Sequence, residues 1–214
     1  MPVRKIPKSY RSITGRFPSV VNRRCIGYES KLERDSYLRQ EFDRTISSYE
    51  EQPLRLTGIV NGVKVSYTLD SLYKYNDGKP DRLVEVKYQS ELEEKAAELE
   101  PRFTLARNHA SENGMDFVVV TDLEVNDGFL GNYRLIYRFT KPPNNFGPKR
   151  KRIIESLRGA GELTLKDLLL SFGEDLSTHA EYTPSIWHLL YIREIDADLS
   201  EPISYDTILR ISNG

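Results

Sequence analysis

Two charged side chains inside an apolar strand constrain this chain more than any other feature. Residues 82–89 read RLVEVKYQ, in which Glu85 and Lys87 interrupt a run that is otherwise typical of a buried strand. Because side chains alternate along a strand, these two share one face, and Val84 and Val86 share the other. Burying a charge without a partner is costly, so the pattern indicates that another group completes the pair.

A second carboxylate precedes this strand in what the sequence predicts to be a hairpin. The Asn-Gly pair at 61–62 predicts a type I′ turn between two alternating stretches. We expect residues 63–75 and 82–88 to pair antiparallel, which brings Asp70 close to Glu85. Two carboxylates so close repel each other unless a cation lies between them. Oxygen ligands favour hard cations, so the pair predicts a magnesium or manganese site.

A third carboxylate is expected on a helix before the sheet. The stretch YESKLERDSYLRQEFD at 28–43 has helical periodicity, and Glu29 and Glu33, four residues apart, are expected to share one face. An Asp, a Glu-x-Lys and an upstream Glu are typical of metal-dependent phosphodiester hydrolysis, in which Lys87 orients the attacking water or offsets charge on the phosphate. The competing interpretation is a surface hairpin with a cross-strand ion pair.

The order of these elements resembles the core of the PD-(D/E)xK nuclease superfamily. Within it, ESKLERDSYLRQEFDRTISSYEEQP followed by YTLD and VEVK is similar to the TnsA endonuclease family of heteromeric transposases, over roughly residues 28–125. The resemblance implies an α/β fold with a restriction-endonuclease-like mixed sheet flanked by helices, plus a small helical winged-helix-like C-terminal domain. The chain departs from the family at Leu69-Asp70-Ser71, where Pro-Asp-Phe is common.

The resemblance also implies the site residues and the cofactor. The implied catalytic residues are Glu33, Asp70, Glu85 and Lys87, with Glu29 as the alternative to Glu33. The implied metal ligands are Glu33, Asp70, Glu85 and Val86, and the implied ion is Mg²⁺, with Mn²⁺ as a possible substitute. By contrast, Tyr67 is interpreted as an ordinary sheet residue, because it alternates along a predicted strand.

The function implied by the resemblance is one part of a shared reaction. TnsA-like proteins cut the 5′ strands at transposon ends, a TnsB-like transposase cuts and joins the 3′ ends, and a TnsC-like AAA+ ATPase couples them to the target. We therefore expect transposon-end DNA and these two proteins as partners. Two other interpretations stay open. One is a stand-alone restriction or repair nuclease, and the other is a catalytically inactive DNA-binding adaptor.

The chain is expected to have four parts. These are a basic N-terminal arm (1–27), the endonuclease domain (28–141), a Pro- and Asn-rich linker (142–149) and the winged-helix-like domain (150–214). The first 28 residues contain no acid and seven cations: Arg4, Lys5, Lys8, Arg11, Arg16, Arg23 and Arg24. A second basic run, KRKR, occupies 149–152. In a chain of net charge −1, such blocks indicate contacts with DNA phosphates, unless they are simply a solvated tail and linker.

Composition excludes several classes of protein. Hydrophobic residues make up 38% and charged residues 29%, as in ordinary globular proteins. The sequence has no apolar run long enough to cross a membrane, and its start has no apolar core of a secretory signal. The single cysteine, Cys25, rules out an intramolecular disulfide and a CxxC metal site. We therefore expect a cytoplasmic protein.

Overall fold

The computed structural model describes residues 13–212 of the chain. These residues form two units, the first ending at Asn126 and the second beginning at the next residue. This division differs from the predicted endonuclease domain at 28–141 and linker at 142–149, because residues 127–141 group with the second unit. Among the described residues, no helix combines the length and the apolar character that crossing a membrane requires.

The first unit begins with a hairpin that the sequence did not predict. Its strands are β1 (Gly15–Ser19) and β2 (Arg24–Tyr28), which pair antiparallel. Most of the described part of the predicted basic arm therefore folds into this hairpin. The remainder of that predicted arm, residues 1–12, lies outside the described residues.

One buried carboxylate of the following helix holds this hairpin in place. Helix α1 spans Lys31–Phe42, and near its end Glu41 accepts hydrogen bonds from the Ser19 hydroxyl at 2.6 Å and the Val20 N–H at 2.9 Å. The Tyr49 hydroxyl donates to the same carboxylate at 2.6 Å. Because these partners are distant in sequence, hydrophobic periodicity does not reveal the hairpin.

Six further strands complete the sheets of the first unit: β3 (Ile46–Glu51), β4 (Arg55–Val60), β5 (Val63–Thr68), β6 (Ser71–Tyr75), β7 (Arg82–Lys87) and β8 (Asp116–Thr121). Strands β3, β6, β7 and β8 form one sheet in that order. Its first two pairs are antiparallel, whereas β7 and β8 are parallel, so the sheet is mixed. Strands β4 and β5 form a separate two-stranded sheet.

The separation of β5 from β6 corrects one expectation. The turn at 61–62 has left-handed φ angles of 50° and 79°, which confirms the predicted type I′ turn. The stretch 63–75, however, is not one strand, because the chain leaves the β4–β5 sheet at Leu69 and enters the four-stranded sheet at Ser71. Between them, the Asp70 carbonyl accepts the Gln52 N–H at 2.9 Å.

Helices cover both faces of the four-stranded sheet. Three of them follow β7: α2 (Gln89–Glu94), α3 (Ala96–Glu112) and, after β8, α4 (Asp122–Val125). Helix α3 packs on the face that carries Leu83, in a core with Tyr67, Leu69 and Phe103. Helix α1 lies on the opposite face, where Ser36 and Val84 line the same cavity. A mixed sheet flanked by helices fits the expected restriction-endonuclease-like fold.

The second unit is mainly helical. Its elements are α5 (Phe129–Ile136), a 3₁₀ turn (Tyr137–Phe139), α6 (Phe146–Ala160), β9 (Glu162–Thr164), α7 (Leu165–Leu170), α8 (Leu176–Tyr191), β10 (Ile195–Ala197) and β11 (Ile208–Ile211). The strands form an antiparallel sheet in the order β10–β11–β9. Strands β10 and β11 therefore pair near the C-terminus, whereas the winged-helix assignment stays a prediction.

Helix α6 begins inside the segment expected to be a linker. Lys149, Ile153 and Leu157 recur every four residues and are all buried, so they form one packed face of this helix. Pro148 lies in the first turn, where no backbone N–H is needed for the helical ladder. The Pro and Asn content that suggested a linker is therefore compatible with a helix start.

Candidate active site

The site is built around Asp70, at the gap between β5 and β6. The antiparallel register pairs Ser71 with Val84, so the preceding residue, Asp70, falls opposite Glu85. The Val86 N–H donates to Asp70 Oδ2 at 2.8 Å, and the ammonium of Lys87 lies 3.7 Å from the same oxygen. The predicted approach of Asp70 to the Glu-x-Lys pair is therefore seen, although Asp70 lies between two strands.

Strand β7 carries Glu85 and Lys87, the charged pair that the sequence placed inside an apolar strand. Glu85 is only 3% exposed, and its Oε1 lies 2.6 Å from Lys87 Nζ. Its other oxygen, Oε2, is buried and has no hydrogen-bond partner. Because a buried, unpaired carboxylate oxygen is rare in a native protein, it indicates a group that binds there. Lys87 therefore pairs with only one of the two carboxylate oxygens of Glu85.

Burial and crowding of charge shift the pKa values of these groups. Burial, followed by the neighbouring Glu85 carboxylate, raises the pKa of Asp70 to about 8, although Lys87 and the Val86 N–H oppose the shift. Burial alone would lower the pKa of Lys87, but the carboxylates of Asp70 and Glu85 raise it above its ordinary value. The site therefore contains two carboxylates that share one ammonium, and it favours additional positive charge.

Glu33 lies at the first turn of α1, and Glu29 does not lie on the helix. Ser30 caps the helix by accepting the Glu33 N–H at 3.0 Å, so the expectation that Glu29 and Glu33 share a helix face is wrong. The Glu29 N–H instead donates to Glu33 Oε2 at 2.9 Å. Burial, followed by the charge of Asp70, raises the pKa of Glu33 to about 7. The charges of Glu33 and Asp70 therefore interact.

The donor set fits a hard divalent cation in part. Within residues 13–212, no group of three or more His, Cys, Asp or Glu side chains is arranged to hold a metal ion. Asp70 and Glu85 provide adjacent carboxylates, and Glu85 Oε2 is an unsatisfied ligand atom. Val86 has an apolar side chain, so only its carbonyl, which accepts from Lys87 Nζ at 3.3 Å, could be a ligand. The predicted ligand roles of Glu33, Asp70, Glu85 and Val86 all remain predictions.

Two residues near Asp70 were missed by sequence reasoning. The Tyr67 hydroxyl and Gln52 Oε1 are buried and have no hydrogen-bond partner. Gln52 also has a left-handed φ of 41°, which is unusual for a residue other than glycine. Alternation along β5 predicts that Tyr67 is buried, but it does not reveal which strand faces it. The only sequence signal for Gln52 is its place before Pro53, at the end of a strand.

Comparison with known families agrees with this geometry. Residues 43–122 match the family model described as TnsA-like endonuclease N terminal. These residues therefore form a TnsA-like endonuclease domain. The matched TnsA-like region contains Asp70, Glu85 and Lys87, but it begins after Glu33. A comparison with curated proteins finds no match.

Proposed function

We propose that the protein is a metal-dependent DNA endonuclease subunit of a transposase, which cuts the 5′ strands at transposon ends. The observation that carries this proposal is the group formed by Asp70, Glu85 and Lys87 within a TnsA-like endonuclease domain. Its proposed partners are transposon-end DNA, a TnsB-like transposase that cuts and joins the 3′ ends, and a TnsC-like AAA+ ATPase. The proposed compartment is the cytoplasm, which fits the free thiol of Cys25.

Mg²⁺, with Mn²⁺ as a substitute, is the ion that suits an oxygen-only donor set. Asp70 and Glu85 would hold it, with Glu33 and the carbonyl of Val86 as further candidates. When bound, such an ion polarises the phosphate and lowers the pKa of a bound water. The excess of carboxylate charge and the unpaired Oε2 of Glu85 support this assignment.

Lys87 contributes charge and a hydrogen-bond donor to the reaction. Because its carboxylate neighbours raise its pKa, Lys87 remains an ammonium at neutral pH and does not act as a general base. The ammonium can orient the attacking water or offset charge on the phosphate in the transition state. The side chains of Asp70 and Lys87 are 19% and 20% exposed, so solvent reaches this side of the site.

The second unit is proposed to be a winged-helix-like module that contacts the ATPase and DNA. Helices α6, α7 and α8 with a three-stranded antiparallel sheet support this proposal. Only part of the KRKR run is available for DNA. Lys149 pairs with Glu181 at 2.9 Å and Arg150 pairs with Glu194 at 2.6 Å. By contrast, Lys151 has only a long, exposed pair with Glu155 at 3.9 Å, and its side chain is 76% exposed.

The test is strand cleavage of labelled transposon ends by the purified protein, with and without its partners. Asp70→Ala and Glu85→Ala should abolish the 5′-strand cut and keep the circular dichroism spectrum of the wild type. Undiminished cleavage by Asp70→Ala would overturn the site. Efficient cutting of naked DNA without partners would favour a stand-alone nuclease, and normal transposition by Asp70→Ala would favour an inactive adaptor.

A genetic test separates the two strands. If this subunit cuts only the 5′ strands, Glu85→Ala should leave 3′-end joining by the partner intact. The donor then stays attached through its uncut strand, so cointegrates should replace simple insertions. Sequencing of insertion junctions would show this change, and simple insertions at the wild-type frequency would contradict the transposase assignment.

A further inference from the structure

Unpaired buried polar atoms concentrate at the candidate site. In the described part of the chain, such side-chain atoms are Gln52 Oε1, Tyr67 OH, Arg82 Nε, Glu85 Oε2 and Ser185 Oγ. Three of these five belong to residues around Asp70: Gln52 donates its N–H to the Asp70 carbonyl, Tyr67 precedes Asp70 by three residues, and Glu85 lies opposite it. Because buried polar groups are nearly always paired, this concentration indicates that these atoms gain hydrogen-bond or metal partners when the site binds its ligands.

Tyr67 lies on the same side of the sheet as the carboxylate of Glu85. Its ring packs in one core with Leu83, and its centroid lies 6.4 Å from that of Phe103. Leu83 and Glu85 are two apart on β7, so their side chains emerge on the same face. Tyr67 is only 6% exposed, so its hydroxyl has no access to bulk water.

The two unpaired atoms are chemically complementary. A phenol donates one hydrogen bond, and Glu85 Oε2 is an acceptor without a donor, since Lys87 lies against the other oxygen, Oε1. Burial, followed by the charge of Glu85, raises the pKa of Tyr67, as expected for a buried phenol close to a carboxylate. A tyrosine is an ordinary neutral phenol at neutral pH, so Tyr67 can act as the donor.

We infer that Tyr67 is a positioning residue for Glu85, donating its hydroxyl hydrogen to the Glu85 carboxylate and orienting it toward a divalent cation. The inference rests on the proposed function, because it assumes that Glu85 binds a metal ion. Hydrogen bonds to metal-binding carboxylates typically change metal affinity by 10- to 100-fold. The competing explanation is that the hydroxyl of Tyr67 is merely tolerated at the edge of the α3 core.

Tyr67→Phe tests the inference, because it removes one hydroxyl and keeps the ring that packs against Phe103. Tyr73→Phe is the matched control, since Tyr73 is also buried, but its hydroxyl is paired with Ser36 Oγ at 2.8 Å. Magnesium and manganese binding are measured by calorimetry on each full-length protein. Thermal unfolding is measured with and without metal, and cleavage is measured over a range of metal concentrations.

Tyr67→Phe should bind metal about 10- to 100-fold more weakly and need correspondingly more metal for half-maximal cleavage. Without metal, it should unfold at the wild-type temperature or above, because an unpaired hydroxyl has been removed from the interior. Tyr73→Phe should show the opposite pattern, with a lower unfolding temperature and unchanged metal affinity.

The outcomes separate this inference from the proposed function. If the wild type binds metal and cuts DNA, and Tyr67→Phe does both equally well, Tyr67 has no positioning role. Equal losses of metal affinity in Tyr67→Phe and Tyr73→Phe would also overturn the inference, since a general packing effect would explain both. If the wild type neither binds metal nor cuts, the proposed function and this inference fail together.

Discussion

At the scale of single residues, Asp70 is held in a place that disfavours its own charge. Burial and Glu85 raise its pKa to about 8, so the metal-free protein is less stable than it would be with a neutral side chain there. Asp70→Asn keeps the shape and an oxygen that can accept the Val86 N–H. Asp70→Asn therefore removes the charge that a metal ion needs and keeps the hydrogen bond that the fold needs.

We predict that Asp70→Asn abolishes cleavage and stabilises the metal-free protein. One pKa unit corresponds to about 1.4 kcal/mol, and a gain on the order of 1 kcal/mol in the free energy of unfolding is expected after allowing for rearrangement. Urea unfolding in a chelating buffer measures it. The gain should vanish in saturating magnesium, where the wild type gains stability by binding the ion. A loss of stability in the chelating buffer would contradict this account of Asp70.

Gln52 provides a second prediction about a single residue. A left-handed backbone costs an ordinary residue about 1–2 kcal/mol, and its φ of 41° lies in that region. Gln52→Gly keeps the N–H that donates to Asp70 and should match or exceed the wild-type stability. Gln52→Val should be less stable than the wild type, because branching at Cβ disfavours this backbone. We expect the loss in the free energy of unfolding to be at least as large as the cost of the left-handed backbone in the wild type. Equal unfolding midpoints for Gly and Val would rule out the left-handed conformation.

At the scale of elements, an ion pair between Arg24 and Glu51 joins the β1–β2 hairpin to β3. Arg24 donates to Glu51 through two nitrogens, at 2.8 and 2.5 Å, and the Gly27 N–H donates to the same carboxylate at 3.3 Å. Burial alone would raise the pKa of Glu51, but the hydrogen bonds from Arg24 lower it below its ordinary value. The pair therefore stabilises the charged carboxylate.

Glu51→Gln is predicted to lower the free energy of unfolding of the first unit by about 1–2 kcal/mol. A fully buried pair would contribute more, but the Arg24 side chain is 38% exposed and solvent screens the pair. A carboxylate with a lowered pKa contributes its full stability above its unfolded-state pKa and loses it as the pH falls through the folded-state pKa. The difference between wild type and Glu51→Gln should therefore be largest near pH 7 and shrink in acid. Asp196→Asn, which breaks an exposed pair with Arg210, is the control and should change stability little.

Elements with local signals were predictable, and those fixed by distant contacts were not. The turn at 61–62 needs only Asn and Gly, and the charged pair in β7 needs only strand alternation, so both followed from the sequence. The hairpin at 15–28 depends on Glu41, and the strand break at Asp70 depends on a hydrogen bond from Gln52. Gln52 and Asp70 are 18 residues apart and Ser19 and Glu41 are 22 residues apart, beyond the reach of periodicity.

At the scale of the whole molecule, net charge conceals an uneven distribution. The chain has 31 basic and 32 acidic residues, yet the first 28 residues carry no acid. Hydrogen bonds and ion pairs already use part of the basic surface, including Lys149, Arg150 and Arg24. The number of cations in a basic run is therefore a poor guide to the number of phosphates that it contacts.

We predict that Lys151→Ala weakens binding to all DNA sequences equally and lowers the slope of log affinity against log salt by about 0.9. Each phosphate contact releases counterions, and Lys151 is exposed enough to make one. Lys149→Ala should leave the slope unchanged and destabilise the second unit instead, because Lys149 is buried against α8 through Glu181. Filter binding over a salt series measures both, and equal slopes for wild type and Lys151→Ala would exclude the phosphate contact.

The antiparallel β6–β7 pair has a consequence for how the protein folds. Its two strands are joined by the short loop 76–81, so Asp70 and Glu85 meet through a contact of low sequence separation, of the kind that forms early. The folding chain thus meets the repulsion between these carboxylates before the parallel partner β8 has docked. A divalent cation that offsets this repulsion in the transition state should speed refolding, and stopped-flow refolding in magnesium against chelator would measure the difference. Asp70→Asn should refold at the same rate in magnesium and in chelator.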